Sequence, residues 1–165
     1  MKKRIFAGLV IAAAALGGAE GAQAQSTIPL SIEGRLDLGV PVGDAADVLE
    51  PGVGFGITGA FQLTPLFGLY GGWSSFEFDV DGLDDELTSD GFELGGRVTL
   101  GTGGGIYNPY LQLGALFQDD ETGLEAGLGG FYPVGQNLSL TPMVRYRTVD
   151  DLDYLTFGVG LNLRF

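Results

Sequence analysis

The sequence predicts an all-β chain, an eight-stranded antiparallel up-and-down transmembrane β-barrel. Three observations carry this. Period-two alternation recurs in eight stretches of about ten residues, each with one nearly pure apolar face. Acidic residues crowd into every second connection. Every Arg beyond an N-terminal leader falls on the polar face of a strand.

The leader comes first. Lys2, Lys3 and Arg4 precede an apolar run from Ile5 to Leu16, followed by small residues and Ala22-Gln23-Ala24. Basic, apolar and small-residue parts in that order read as a secretory signal peptide over 1–24. The apolar run is shorter than the roughly 20 residues of a spanning helix. Cleavage after Ala24 leaves a mature barrel domain over 25–165. That chain keeps 5 of the 8 cations, all Arg, and 20 of the 21 acids, a net charge of −15.

The strands follow in order. The first alternates Leu30, Ile32, Leu36, Leu38 and Val40 with Glu33, Arg35 and Asp37. The second sets Val53, Phe55, Ile57 and Phe61 against small residues and Gln62. The third, about 67–80, sets Tyr70, Phe76 and Phe78 against Glu77 and Asp79, with a bulge possible at its Gly71–Ser75 middle. The fourth opposes Phe92, Leu94 and Val98 to Glu93 and Arg97. The fifth opposes Leu111, Leu113 and Phe117 to Gln112 and Gly114. The sixth opposes Leu124, Leu128 and Tyr132 to Glu125 and Gly127. The seventh opposes Leu138, Leu140, Val144 and Tyr146 to Arg145 and Arg147. Pro142 interrupts its apolar face and predicts a bulge or a late start to regular pairing. The eighth opposes Leu155, Phe157, Val159, Leu161, Leu163 and Phe165 to Thr156, Asn162 and Arg164.

Connections one, three, five and seven carry 14 acids and no cation, whereas connections two, four and six carry no charge. An up-and-down sheet places odd connections at one end and even ones at the other. The barrel therefore has an acidic end and a neutral end.

Alternation alone does not say which face is inside. A soluble exterior would mix in Lys, and none remains after the leader. The polar face is rich in Gly, as a narrow interior requires, and the bulky residues lie on the other face. Aromatics gather toward the strand ends, as in the girdles of a membrane barrel. Phe61, Phe67, Tyr70, Tyr107, Tyr110, Tyr132 and Phe165 lie toward the neutral end. Phe55, Phe76, Phe78, Phe92, Phe117, Tyr146, Tyr154 and Phe157 lie toward the acidic end. The apolar face is accordingly expected to meet lipid. The expected lumen ion-pair network is then Glu33, Arg35, Asp37, Glu77, Glu93, Arg97, Glu125, Arg145, Arg147 and Arg164, with Asp79 beside it and Arg97 balancing Glu93 or an acid across the barrel.

The chain resembles the small outer-membrane β-barrel family of the outer-membrane protein A and X type. The resemblance rests on the leader, the eight amphipathic strands and the ending Leu155-Thr156-Phe157-Gly158-Val159-Gly160-Leu161-Asn162-Leu163-Arg164-Phe165. It implies residence in a Gram-negative-type outer membrane, a monomer among lipid and lipopolysaccharide, and Phe165 as the signal read by the barrel-assembly machinery. It does not select one activity, because many share the scaffold.

Composition narrows the activities. The chain has no Cys and no His, which excludes disulfides, Cys/His metal sites and any His-based hydrolase. Lumen acids beside Arg stay ionised and suit acid–base chemistry poorly, so no catalysis is expected. A strongly acidic chain argues against nucleic acid as a partner. Eight strands leave room for side chains and little else. A structural or surface-interaction role is expected first, with a narrow cation-preferring, porin-like channel or a ligand-binding adhesin as alternatives. No cofactor is expected. The acidic rim reads as solvated loop surface, as adaptation to salt, or as a Ca²⁺ or Mg²⁺ site formed by Asp81, Asp84, Asp85 and Glu86.

Overall fold

The computed structural model describes residues 29–80, 82, 86–101, 106–118, 121–150 and 152–165. The leader over 1–24 lies outside them. Eight strands run β1 (Leu30–Pro41), β2 (Gly52–Gln62), β3 (Phe67–Asp79), β4 (Glu86–Thr99), β5 (Asn108–Gln118), β6 (Glu121–Pro133), β7 (Leu138–Val149) and β8 (Leu152–Arg164). Each pairs antiparallel with its sequence neighbours, and β1 pairs with β8 to close the barrel. Strands of 11 to 14 residues are long enough to cross a hydrocarbon layer, which takes about 9–11 tilted residues. Closure satisfies the ladder hydrogen bonds with no free edge, the condition for backbone in lipid.

The outward face is apolar. Phe92, Leu113 and Leu36 are 66%, 66% and 68% exposed. No soluble domain would leave so continuous a belt of large side chains uncovered. The inward face is polar and tightly packed against glycine. The Tyr70 hydroxyl would stand 2.5 Å from a Cβ on Gly95 and 2.4 Å from one on Gly114. The Arg35 guanidinium would stand 2.7 Å from a Cβ on Gly56.

At the neutral end, the 63–66 turn is tied by the Leu63 and Thr64 amides, which donate to the Phe67 carbonyl at 2.9 and 3.0 Å. The Thr64 hydroxyl accepts from the Phe67 amide at 3.0 Å. At the acidic end, β1 leads into a 3₁₀ helix, Gly43–Asp47, which Gly43 enters with φ +63°. Its Ala45 is buried in the mouth.

Three expectations are corrected. First, β3 has the opposite phase along its whole length. Its pairing is unbroken from Gly68 to Glu77 with β2 and from Phe67 to Asp79 with β4, with no bulge at 71–75. Tyr70, Ser74, Phe76 and Phe78 therefore face the lumen, while Glu77 and Asp79 are exposed. Glu77 sits opposite Val53, an outward residue near the rim, where the strand rises past the apolar belt into water. Second, five aromatics assigned to the girdles point inward instead: Tyr70, Tyr110, Phe76, Phe78 and Tyr154 are at most 2% exposed. Third, Pro142 makes no bulge. The β6–β7 pairing skips from Gly129↔Met143 to Tyr132↔Leu140 and resumes in the same register. Two ladder pairs are lost beside a residue that has no N–H to give.

Candidate functional site: the polar lumen

Among the described residues, four cations and four acids are buried: Arg35, Arg97, Arg145 and Arg147 against Glu33, Asp37, Glu93 and Glu125. Each lies on the inward phase of its strand, so the fold aims all eight at one axis.

Two carboxylates anchor the cluster. Glu93 on β4 accepts from Arg35 on β1 at 2.7 Å and from Arg147 on β7, with Arg145 at 3.5 Å. Its other oxygen accepts from the Thr58 hydroxyl at 2.9 Å, and Arg35 donates to that same hydroxyl. Glu125 on β6 accepts from Arg147 through Nε and Nη2, both at 2.9 Å, with Arg145 at 3.5 Å. Its second oxygen accepts from the Tyr70 hydroxyl at 2.7 Å and from Gln112 at 2.8 Å. Asp37 takes Arg35 at 3.1 Å and Arg145 at 2.8 Å. Arg147 also donates to Ser74 at 2.9 Å. Three Arg and three acids thus share one network that crosses the barrel. Burying charge is costly unless it is paired and hydrogen-bonded in this way.

Toward the acidic end the network meets a stack of Phe76, Phe78 and Tyr154, with ring centroids 5.3 to 6.0 Å apart. Leu49 and Leu152 pack on it, and the Arg147 guanidinium lies 5.3 Å from the Phe76 ring centre.

The remaining expected residues lie apart. Among the described residues Arg97 touches no carboxylate. It donates to Gln112 at 3.1 Å and lies over Tyr110 at 4.1 Å, with Phe131 at 5.4 Å and Tyr70 at 5.5 Å. It therefore does not balance Glu93: four residues along a strand span roughly 13 Å, and Arg35 and Arg147 hold that carboxylate. Glu33 is buried, yet neither carboxylate oxygen has a hydrogen-bond partner among the described residues. Arg164 keeps the inward phase but lies exposed at the neutral mouth, beyond reach of the network's acids. Glu77 is outside the lumen, as described above.

The two mouths differ in charge. A cavity of about 980 Å³ at the acidic end is bordered by Asp44, Asp90, Glu121, Asp150 and Asp153 and by no cation. A cavity of about 380 Å³ at the neutral end is bordered, among the described residues, by Arg97 and Arg164 and by no acid. The two share no lining residue. Of the expected cation rim, Asp81, Asp84 and Asp85 lie outside the described residues, and Glu86 is exposed at the start of β4. No group of three carboxylates placed to hold a metal occurs among the described residues.

Solved structures share this architecture. The outer-membrane protein OprG from Pseudomonas aeruginosa superposes with a TM-score of 0.65 at 16% identity, covering 88% of this chain and 99% of that one. The N-terminal β-barrel domain of Pseudomonas aeruginosa OprF gives 0.62 at 16% identity, over 86% and 100%. Ail, the attachment invasion locus protein of Yersinia pestis, gives 0.61 at 16% identity, over 84% and 99%. The chain has the fold of the small outer-membrane β-barrels. No protein-family profile and no curated protein sequence matches it.

Sequence reasoning missed the uncharged members of this barrel's interior. Thr58, Ser74, Tyr70 and Gln112 bond the charged groups, and the Phe76–Phe78–Tyr154 stack adjoins them. A signal was present in β3. Gly68 and Gly72 belong to the glycine-rich inward face, and an unbroken period of two carries Tyr70, Ser74, Phe76 and Phe78 with them.

Proposed function

We propose that this chain is an integral outer-membrane barrel with a structural or surface-interaction role, a lumen closed to diffusion, and no catalysis. The observation that supports this best is the continuous band formed by the Arg35–Asp37–Glu93–Glu125–Arg145–Arg147 network and the aromatic stack above it. Its acids are held by Arg and are poor general bases or acids. Residues 1–24 serve as a cleaved signal peptide, and 25–165 insert as a monomer. Phe165 ends the outward face of β8, its amide donating to the Leu30 carbonyl of β1 at 2.8 Å, and acts as the signal for the barrel-assembly machinery. β1 leaves the periplasm, so the acidic end faces outward among lipopolysaccharide, and the net charge of −15 argues against nucleic acid as a partner.

The acidic outer cavity favours one second reading, a narrow cation-preferring channel. Planar-bilayer recording separates the two. The closed lumen predicts no discrete conductance steps at neutral pH in molar KCl. Regular steps with cation-selective reversal potentials would overturn it.

The outer rim carries a further expectation. With the Arg residues lying inside the barrel or at its neutral mouth and no Lys in the mature chain, carboxylates facing lipopolysaccharide phosphates lack a protein cation to bridge them. Ca²⁺ or Mg²⁺ at the loop of Asp81, Asp84, Asp85 and Glu86 would supply the bridge, since carboxylate and phosphate oxygens are hard donors. Millimolar Ca²⁺ is expected to raise the thermal midpoint of the folded protein in detergent more than NaCl of equal ionic strength. The joint substitution Asp84→Asn, Asp85→Asn and Glu86→Gln should shrink the difference. Equal stabilisation by NaCl would show generic screening.

A further inference from the structure

We infer that the neutral mouth of the barrel is a binding site for a small phosphate-type oxyanion. The inference does not depend on the biological role proposed above.

Arg97 carries it. Arg35, Arg145 and Arg147 each contact two or three carboxylates. Arg97 contacts none, although it is only 7% exposed, and its Nε has no hydrogen-bond partner among the described residues. A buried guanidinium without a counter-charge is strongly unfavourable, so its position at the floor of an open cavity is informative. Gln112 and the rings of Tyr110, Tyr70 and Phe131 hold the head in place. Those contacts orient the guanidinium but are not an ion pair; the one lumen acid outside the network, Glu33, forms no ion pair with it among the described residues.

The surroundings fit an anion. Arg164 lines the same cavity from β8 and supplies a second positive charge. Neutral polar groups complete the wall: Ser31, Gln62, Thr99 and Asn108. In a mature chain of net charge −15 with five cations, two of them border one cavity that no acid side chain borders. A low-dielectric cleft of one sign concentrates ions of the other, and a guanidinium fork binds a phosphate or sulfate face through paired N–H groups.

Shape limits the ligand. The polar and charged wall residues come from the inward faces of β1, β2, β4, β5 and β8, so the cavity is the lumen mouth itself. Its volume, about 380 Å³, lies at the small end of ligand pockets. Above it lies the crossed network. A ligand enters and leaves by the same opening. Inorganic phosphate or a small phosphomonoester, as a dianion, matches two guanidinium groups. A phospholipid headgroup carries the same chemistry but would have to draw its acyl chains toward the lumen.

The test is calorimetric titration of inorganic phosphate into the folded chain, in detergent and in nanodiscs of phosphatidylcholine or phosphatidylglycerol. Saturable one-to-one binding, competed by sulfate, is expected in detergent. Arg164→Gln, at the exposed rim where folding should be unaffected, should weaken it about tenfold or more, as loss of a charge-assisted contact does. Arg97→Gln should weaken it at least as much, and Asp44→Asn at the opposite mouth should leave it unchanged. Equal affinity in both nanodiscs assigns the site to free phosphate. Binding lost only in phosphatidylglycerol, with an Arg164-dependent shift of the lipid phosphorus resonance, assigns it to a headgroup. Absence of saturable binding in all three media, or binding indifferent to both Arg substitutions in samples that keep heat-modifiable mobility, overturns the inference.

Discussion

Glu93→Met is expected to be the most damaging single change in the lumen, costing about 3–5 kcal/mol of folding stability. The carboxylate neutralises Arg35 and Arg147, stands 3.5 Å from Arg145, and accepts from Thr58. Removing it leaves Asp37 and Glu125 to balance three buried guanidinium groups. The comparison that makes this specific is Arg97→Met. Among the described residues Arg97 forms no ion pair, so its removal gives up one hydrogen bond to Gln112 and its contacts with three rings, a loss of about 1–2 kcal/mol. Urea unfolding of both variants in lipid vesicles measures the order. Arg97→Met as destabilising as Glu93→Met would show that the two belong to one ion pair after all.

Gly114→Val is expected to cost about 3 kcal/mol through overpacking and a displaced hydrogen bond. A Cβ there would stand 2.4 Å from the Tyr70 hydroxyl and 2.8 Å from the Leu94 carbonyl. Tyr70 would have to leave Glu125, to which it donates at 2.7 Å. Next to it, Leu113→Val on the lipid face should cost less than 1 kcal/mol, because lipid fills the space. Tyr70→Ala removes the obstacle, so combining it with Gly114→Val should cost less than the two losses added. Strict additivity in the double variant would mean that the hydroxyl does not occupy the space beside Gly114.

How legible this barrel is in its sequence follows from the physics of each part. Strand number and order are legible because a two-sided environment imposes a period of two on every spanning segment. The division of charge between connections is legible because alternate loops share an end. Which Arg meets which acid is not. Arg147 and Glu93 are 54 residues apart, and Arg35 and Glu93 are 58 apart. The stagger of eight strands around the barrel decides their meeting, and alternation carries no record of it. The β3 phase is hidden for a related reason. Apolar character points to lipid, yet above the charged network the lumen accepts Phe76, Phe78 and Tyr154, while Glu77 is exposed near the rim. Arg164 shows the same limit, since an inward phase does not say how deep along the axis a side chain lies.

The central claim, that the apolar face of this barrel meets lipid and its charges face inward, is tested most directly by the native fluorescence of its single tryptophan. Trp73 lies on the outward face of β3, paired with Ile57 and Phe92 and packed edge-on to Phe55 at 5.5 Å. Reconstituted in vesicles with brominated acyl chains, Trp73 should emit at short wavelength. The brominated lipid should quench it strongly, and aqueous iodide should leave it nearly untouched. Long-wavelength emission quenched by iodide and indifferent to brominated lipid would place Trp73 in water and contradict the account.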